Sequence, residues 1–233
     1  MIRKVLLLAG LAIAGATGAF AQKYKVMMST TQGNIEMILY DETPLHSENF
    51  VKLAREGFYD SLLFHRVIPE FMVQGGDPTS KNAAPGTPLG SGSHGNRIPA
   101  EFKTDKYIHK RGALAAARDN NPEKASSGCQ FYIVAGKTVT DAELDMIQQR
   151  IGIKYTDAQK NIYKTQGGTP FLDNNYTVYG EVVKGMETVD KIVSQKRNGM
   201  DRPDVDQRIL SVKVLVKDKN GKYTEMKQEK GKK

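Results

Sequence analysis

Between residues 24 and 40 apolar and polar side chains alternate on a period of two, interrupted at Gln32-Gly33-Asn34. That pattern predicts a β-hairpin with strands over Lys25–Ser29 and Ile35–Tyr40. From Pro44 to Glu56 the period lengthens to that of a helix. Thr43 stands at the capping position, Pro44 at the first helical position and Gly57 past the end, with Leu45, Phe50, Leu53 and Ala54 on the predicted core face. Extended patterns return at Leu63–Ile68, which Pro69 stops, and at Phe71–Gln74, before Gly75-Gly76 and Asp77-Pro78 turn the chain. A period of two places Arg66 with Phe64 and Ile68 on one face, and Met72 with Gln74 on one face.

The remaining pattern is short strands and long loops. Pro78–Pro99 is rich in Gly, Ser, Pro and Asn and reads as a surface loop. Strands are predicted at Ala113–Ala117, Cys129–Ala135, Thr177–Val183 and Ile209–Lys217, and a helix over Met186–Gln195. On the Cys129–Ala135 strand, Gln130 and Tyr132 share the face that does not pack the core. Two capping boxes, Thr140 with Glu143 and Thr156 with Gln159, mark a helical hairpin inserted at about 138–169, in which Leu144, Ile147 and Ile151 recur at helical spacing. Pairing of the first and last strands would close an antiparallel barrel capped by helices. Periodicity without further help supports only one mainly β domain.

Composition adds an address. Arg3 and Lys4, the apolar run Val5–Ala14 and Ala19-Phe20-Ala21 form the three parts of a secretory leader cleaved after Ala21. A periplasmic protein is the expectation, with full secretion the alternative. The apolar run is too short for the ~20 residues of a membrane span. The domain then covers 22–218, and 219–233 reads as a basic, flexible tail, with seven Lys against three acids from Lys217 onward. No basic stripe interleaved with aromatics marks a nucleic-acid surface. Cys129 is the only cysteine, so the fold rests on its apolar core rather than on a disulfide. His46, His65, His94 and His109 lack metal-ligand spacing, and no nucleophile elbow supports a hydrolase. Gly90-Ser91-Gly92-Ser93-His94-Gly95 satisfies the dinucleotide pattern, but without the strand before it and helix after it that bind a pyrophosphate.

The stretch Phe64–Thr79, FHRVIPEFMVQGGDPT, puts a cation, Arg66, ahead of the apolar pair Phe71 and Met72 and the carboxamide Gln74. It resembles the signature of the cyclophilins, a family of peptidyl-prolyl cis-trans isomerases. The likeness continues through Gln130-Phe131-Tyr132 and Phe171-Leu172-Asp173 to Val178-Tyr179-Gly180, spanning roughly Lys25 to Asp218. It implies a closed eight-stranded antiparallel barrel with a helix over each end, to which the helical hairpin would be an addition. It also implies Arg66 as the catalytic group and a proline pocket of Phe71, Met72, Tyr132 and Leu172. Gln74 and Gln130 would hold the substrate backbone, Ala117 and Arg118 would line the groove, and Phe171 and Tyr176 would keep rings where many members have Trp and His. The missing indole implies weak sensitivity to cyclosporin.

Rotation about an Xaa-Pro bond needs no cofactor, metal or nucleophile, only a site that binds the twisted amide best. The expected partners are proline-containing segments of unfolded or folding exported proteins, met by a monomer without nucleic acid or membrane insertion. A proline-peptide-binding chaperone module with little turnover is the other reading.

Overall fold

The computed structural model describes residues 22–229; the leader predicted over 1–21 lies outside them. The hairpin forms as β1 (Tyr24–Thr30) and β2 (Gly33–Leu39), with Thr31-Gln32 at the tip and the Thr30 hydroxyl donating to the Gly33 carbonyl at 2.7 Å. After α1 (Pro44–Arg55) come β3 (Arg66–Ile68), β4 (Met72–Gly75), β5 (Ala113–Ala116) and β6 (Phe131–Val134). Two helices follow, α2 (Asp141–Ile151) and α3 (Asp157–Thr165), then β7 (Val178–Lys184), α4 (Met186–Val193), β8 (Ile209–Lys217) and β9 (Tyr223–Glu225).

The nine strands of the described residues join one antiparallel sheet in the order β3-β4-β6-β5-β7-β2-β1-β8-β9. As predicted, the first strand pairs with Ile209–Lys217. The ladder itself does not close, because β3 and β9 are its edges. Backbone bonds do cross between the lead-in to β3 and the start of β8: Ser61 N–H to the Ile209 carbonyl, Ile209 N–H to that of Leu62, and Phe64 N–H to that of Gln207, each 2.8 Å. The sheet curls around the main core, which includes Met28, Ile35, Met37, Phe50, Phe64, Phe131 and Val212. One helix, α1, packs on β7 and β8, and α4 packs on β2, β3 and β4. Cys129 belongs to this core, and burial pushes its thiol up, so it stays an unreactive packing residue.

Several local expectations are corrected. Leu45 is exposed, and its predicted place on the buried face of α1 goes to His46, whose ring bonds Glu101 and Ser126 at 2.7 and 2.9 Å. Thr43 does not cap the helix; its hydroxyl donates to the Tyr40 carbonyl. The Glu101 carboxylate takes the cap instead, accepting from the Leu45 and His46 N–H groups at 3.2 and 3.0 Å, where a negative charge suits the helix start. Phe64 lies in the main core rather than on the Arg66 face, because regular alternation begins only where β3 does. The tail read as a flexible end contributes β9, and the Tyr223 hydroxyl donates to the Gln22 carbonyl. Both capping boxes of the insertion form as predicted.

His65 is buried with neither ring nitrogen hydrogen-bonded. Burial lowers its pKa to about 4, against a partial opposing pull from Asp77 and with help from Arg66. The unfolded imidazole takes a proton near 6.5 and the folded one only near 4, so the unfolded state binds more protons in that window. Folding stability is therefore expected to drop by about 3 kcal/mol as pH falls from 7 to 4, read by chemical denaturation. His65→Phe should flatten this slope; an unchanged slope would exclude the imidazole as its source.

Candidate active site

The register of four strands builds the site. Arg66 pairs with Gln74 across β3 and β4, Gln74 with Tyr132 across β4 and β6, and Tyr132 with Ala115 across β6 and β5. This row points away from the main core. Val73, Phe131, Ile133 and Leu114 face that core, whereas Met72, Ala113, Ala115, Tyr132 and Val134 form a second cluster with Leu172 and Val178 on the opposite face.

On this second face lies a cavity of about 100 Å³ lined by Arg66, Phe71, Met72, Gln74, Ala117, Arg118, Tyr132, Leu172 and Tyr176. It has room for one small ring and is too small for an extended ligand. Apolar side chains make its floor and walls, and two guanidinium groups stand over it. Arg66 is half-exposed: Nη1 donates to Gln74 Oε1 at 3.4 Å, Nε lies 3.7 Å from Asp201 Oδ2, and the guanidinium is 5.9 Å from the Phe71 ring centre. Arg118 lies over the Tyr176 ring at 4.7 Å, and its Nε donates to the Asn175 carbonyl at 2.9 Å.

Two of the residues expected at the site lie elsewhere. Gln130 sits behind Gln74, accepting from Gln74 Nε2 at 2.9 Å and donating to the carbonyls of Gly90 and Gly92 at 2.9 and 2.7 Å. Both of its amide hydrogens are thus used within the protein, so it orients Gln74 and has no donor left for a substrate backbone. Gln74 Nε2 keeps one hydrogen free. Phe171 is exposed beside the cavity, its ring centre 5.7 Å from that of Phe71. The Gly-rich stretch that fails as a dinucleotide motif is held by Asp77, which accepts from the Gly90 and Gly92 N–H groups at 2.5 and 3.3 Å. Burial pushes the Asp77 pKa up, but these bonds and those from Thr79 outweigh it and hold the carboxyl below its usual range.

Beneath the floor is a network that sequence reasoning missed. The Asp173 carboxylate is buried and accepts from four donors: His109 N–H at 2.9 Å, His109 Nδ1 at 2.6 Å, and the hydroxyls of Tyr155 and Tyr163 at 2.7 and 2.5 Å. In the neutral imidazole, a hydrogen on Nδ1 shared with the carboxylate leaves Nε2 as the acceptor, and the Tyr132 hydroxyl then donates to it at 3.0 Å. Burial, reinforced by Tyr176 and Asp173, holds the Tyr132 phenol well above its usual pKa, so it keeps that proton. The hydroxyl hydrogen therefore points out of the cavity. Tyr155 and Tyr163 come from the insertion, which is thereby tied to the cavity floor. Asp173 was legible only as part of the Phe171-Leu172-Asp173 match, and Asp201 left no signal at all.

Among the described residues no group of three or more His, Cys, Asp or Glu is placed to hold a metal ion, and no helix is long and apolar enough to cross a membrane.

The profile of the "Cyclophilin type peptidyl-prolyl cis-trans isomerase/CLD" family matches residues 25–214. The chain is 35% identical over 191 residues to a protein of Staphylococcus haemolyticus named as a peptidyl-prolyl cis-trans isomerase, covering 82% of this chain and 90% of that one. It is 36% identical to a Streptococcus pyogenes protein named as a bifunctional phosphatase and peptidyl-prolyl cis-trans isomerase, of which it spans 38%. The fold is shared with a cyclophilin of Cryptosporidium parvum crystallised in the presence of the dipeptide Ala-Pro, with a TM-score of 0.60, 21% identity, and coverage of 81% of this chain and 96% of that one. The chain belongs to the cyclophilin family and is a peptidyl-prolyl cis-trans isomerase.

The buried network has a measurable weight. Asp173→Ala leaves four buried donors without their acceptor and is expected to cost about 3 kcal/mol or more in chemical denaturation. Tyr132→Phe, which keeps the ring, should cost about 1 kcal/mol. Equal losses from the two would mean that Asp173 does not anchor the floor.

Proposed function

We propose that Arg66 is the catalytic group and that the 100 Å³ cavity receives the pyrrolidine ring of the substrate. The observation that carries this is the convergence of Arg66, Phe71, Met72, Gln74, Tyr132 and Leu172 on one ring-sized cavity. Amide resonance sets a barrier of ~20 kcal/mol to rotation about the Xaa-Pro bond. As the bond twists, conjugation is lost and the prolyl nitrogen regains a lone pair. A guanidinium hydrogen pointed at that nitrogen binds the twisted form and finds little to bind in either planar form, which lowers the barrier by differential binding. Arg66 suits this role because its charge is permanent and its fork is held on one side by Gln74 and on the other by Asp201. Phe71, Met72 and Leu172 grip the ring while the acyl side turns, and the free hydrogen of Gln74 takes a substrate carbonyl.

The same reading sets the enzyme in the periplasm as a monomer. There it speeds the folding of exported proteins, whose Xaa-Pro bonds otherwise isomerise in tens of seconds. The leader-like residues 1–21 support the address. It also takes the curled sheet as the family's closed eight-stranded barrel capped by two helices, supported by the backbone bonds between 61–64 and 207–209. The Ala-Pro dipeptide present with the Cryptosporidium structure supports proline-containing polypeptides as the substrates. A chaperone-like clamp without turnover would use the same cavity, and the free guanidinium edge of Arg66 favours the enzyme.

Exchange NMR on a short Ala-Pro peptide tests the assignment. Arg66→Ala is expected to lower kcat/KM by roughly 10² to 10³, or ~2.7 to 4 kcal/mol, with peptide affinity changed far less. A loss below about threefold would remove Arg66 from the catalytic role.

A further inference from the structure

A second cavity, of about 450 Å³, lies beside the proline site and plays no part in the mechanism above. The two meet at an aromatic wall, since Phe71 lines one, Phe171 lines the other, and their rings are 5.7 Å apart. Its apolar lining comes mostly from the insertion: Val139, Met146 and Ile147, facing Pro170 and Phe171. Met146 is 64% exposed and Phe171 44%, so both leave apolar surface uncovered at this groove. The rim carries two cations, Lys137 and Arg150, against two anions, Glu70 and Glu143, so it favours neither sign of charge in a ligand. On another side the proline cavity shares Gln74, Ala117 and Arg118 with the cavity lined by the Gly90–Ser93 loop. The proline cavity thus has a neighbour on either side, and only the one toward the insertion is predominantly apolar.

We propose that the groove between α2 and Pro170-Phe171 binds a large apolar side chain, Leu, Phe or Met, of the same unfolded polypeptide whose proline occupies the central cavity. The inference rests on the isomerase reading of that cavity. The 5.7 Å contact of the Phe71 and Phe171 rings sets the two recesses side by side, near enough for one chain to fill both. At 3.3 to 3.6 Å per extended residue, two to four positions from the proline span roughly 7 to 14 Å, the range over which an apolar neighbour could reach past the aromatic wall. The Met146 thioether, flexible and polarisable, suits a groove that accepts several apolar shapes. The insertion is then the part of the molecule that ranks prolines by their neighbourhood, directing the enzyme to segments still exposing residues destined for a core.

The test uses proline peptides of about nine residues carrying either Leu or Ser at two to four positions from the proline, on each side in turn. Exchange NMR gives kcat/KM for each. Partial burial of one Leu side chain is expected to make the best-placed Leu peptide about tenfold better than its Ser counterpart, mainly through KM. In Met146→Glu this ratio should collapse to about one, and in Met146→Ser it should fall between. A ratio near one in the unaltered protein, or one that survives Met146→Glu, overturns the proposal. If neither these peptides nor a short Ala-Pro peptide is isomerised, the isomerase reading of the cavity has failed. Calorimetric binding of the Leu and Ser peptides then decides the groove separately: a Leu preference lost in Met146→Glu upholds it, and equal affinities refute it.

Discussion

The site depends on a register. Side chains alternate across a sheet with a period of two, so a slip of one residue between β4 and either neighbour would turn Arg66, Gln74 or Tyr132 toward the main core. What prevents the slip is the burial of Val73, Ile133, Phe131 and Leu114 on the other face, where polar groups would find no partners. Gly76 fixes the end of the register. Its φ is +93°, and a Cβ there would stand 2.2 Å from the Cys129 carbonyl oxygen, so only glycine lets the chain leave β4 this close to the start of β6.

From that row, two chains of hydrogen bonds run outward and hold the cavity from opposite sides. One passes from Arg66 through Gln74 and Gln130 to the carbonyls of Gly90 and Gly92, tying a Gly-rich loop to the sheet. The other passes from Tyr132 through His109 to Asp173 and ends on Tyr155 and Tyr163. A buried carboxylate with four donors has no slack: losing any one leaves a charge less well compensated in a medium of low polarity. The insertion is therefore part of the same packed unit as the cavity floor, although it adds no residue to the cavity lining.

What the sequence reveals and what it conceals follow from distance along the chain. Alternation in Met72–Gly75 and Phe131–Val134 and the two Thr capping boxes are local, and they appear where they were expected. The cluster around the cavity was readable because matches to a known signature fall in order at Phe64–Thr79, Gln130–Tyr132 and Phe171–Asp173. Hidden were the contacts that bring remote segments together. Nothing near Gln130 says that both of its donors go to carbonyls about forty residues earlier. Nothing near Pro44 says that Glu101 will occupy the helix start and leave the Thr43 hydroxyl to the Tyr40 carbonyl. The Lys-rich end looks solvated by composition, and it pairs because β8 offers an open edge that Tyr223–Glu225 can complete.

That open edge carries a further meaning. Along β8 the outward side is met in turn by the Leu62 carbonyl, the Asp60 carboxylate, the Met226 N–H and the three residues of β9. Each occupies a backbone group that would otherwise be a template for another chain's strand. Covering these groups with loop, carboxylate and tail shortens the free edge on this border to the three residues of β9, too few to template a long foreign strand.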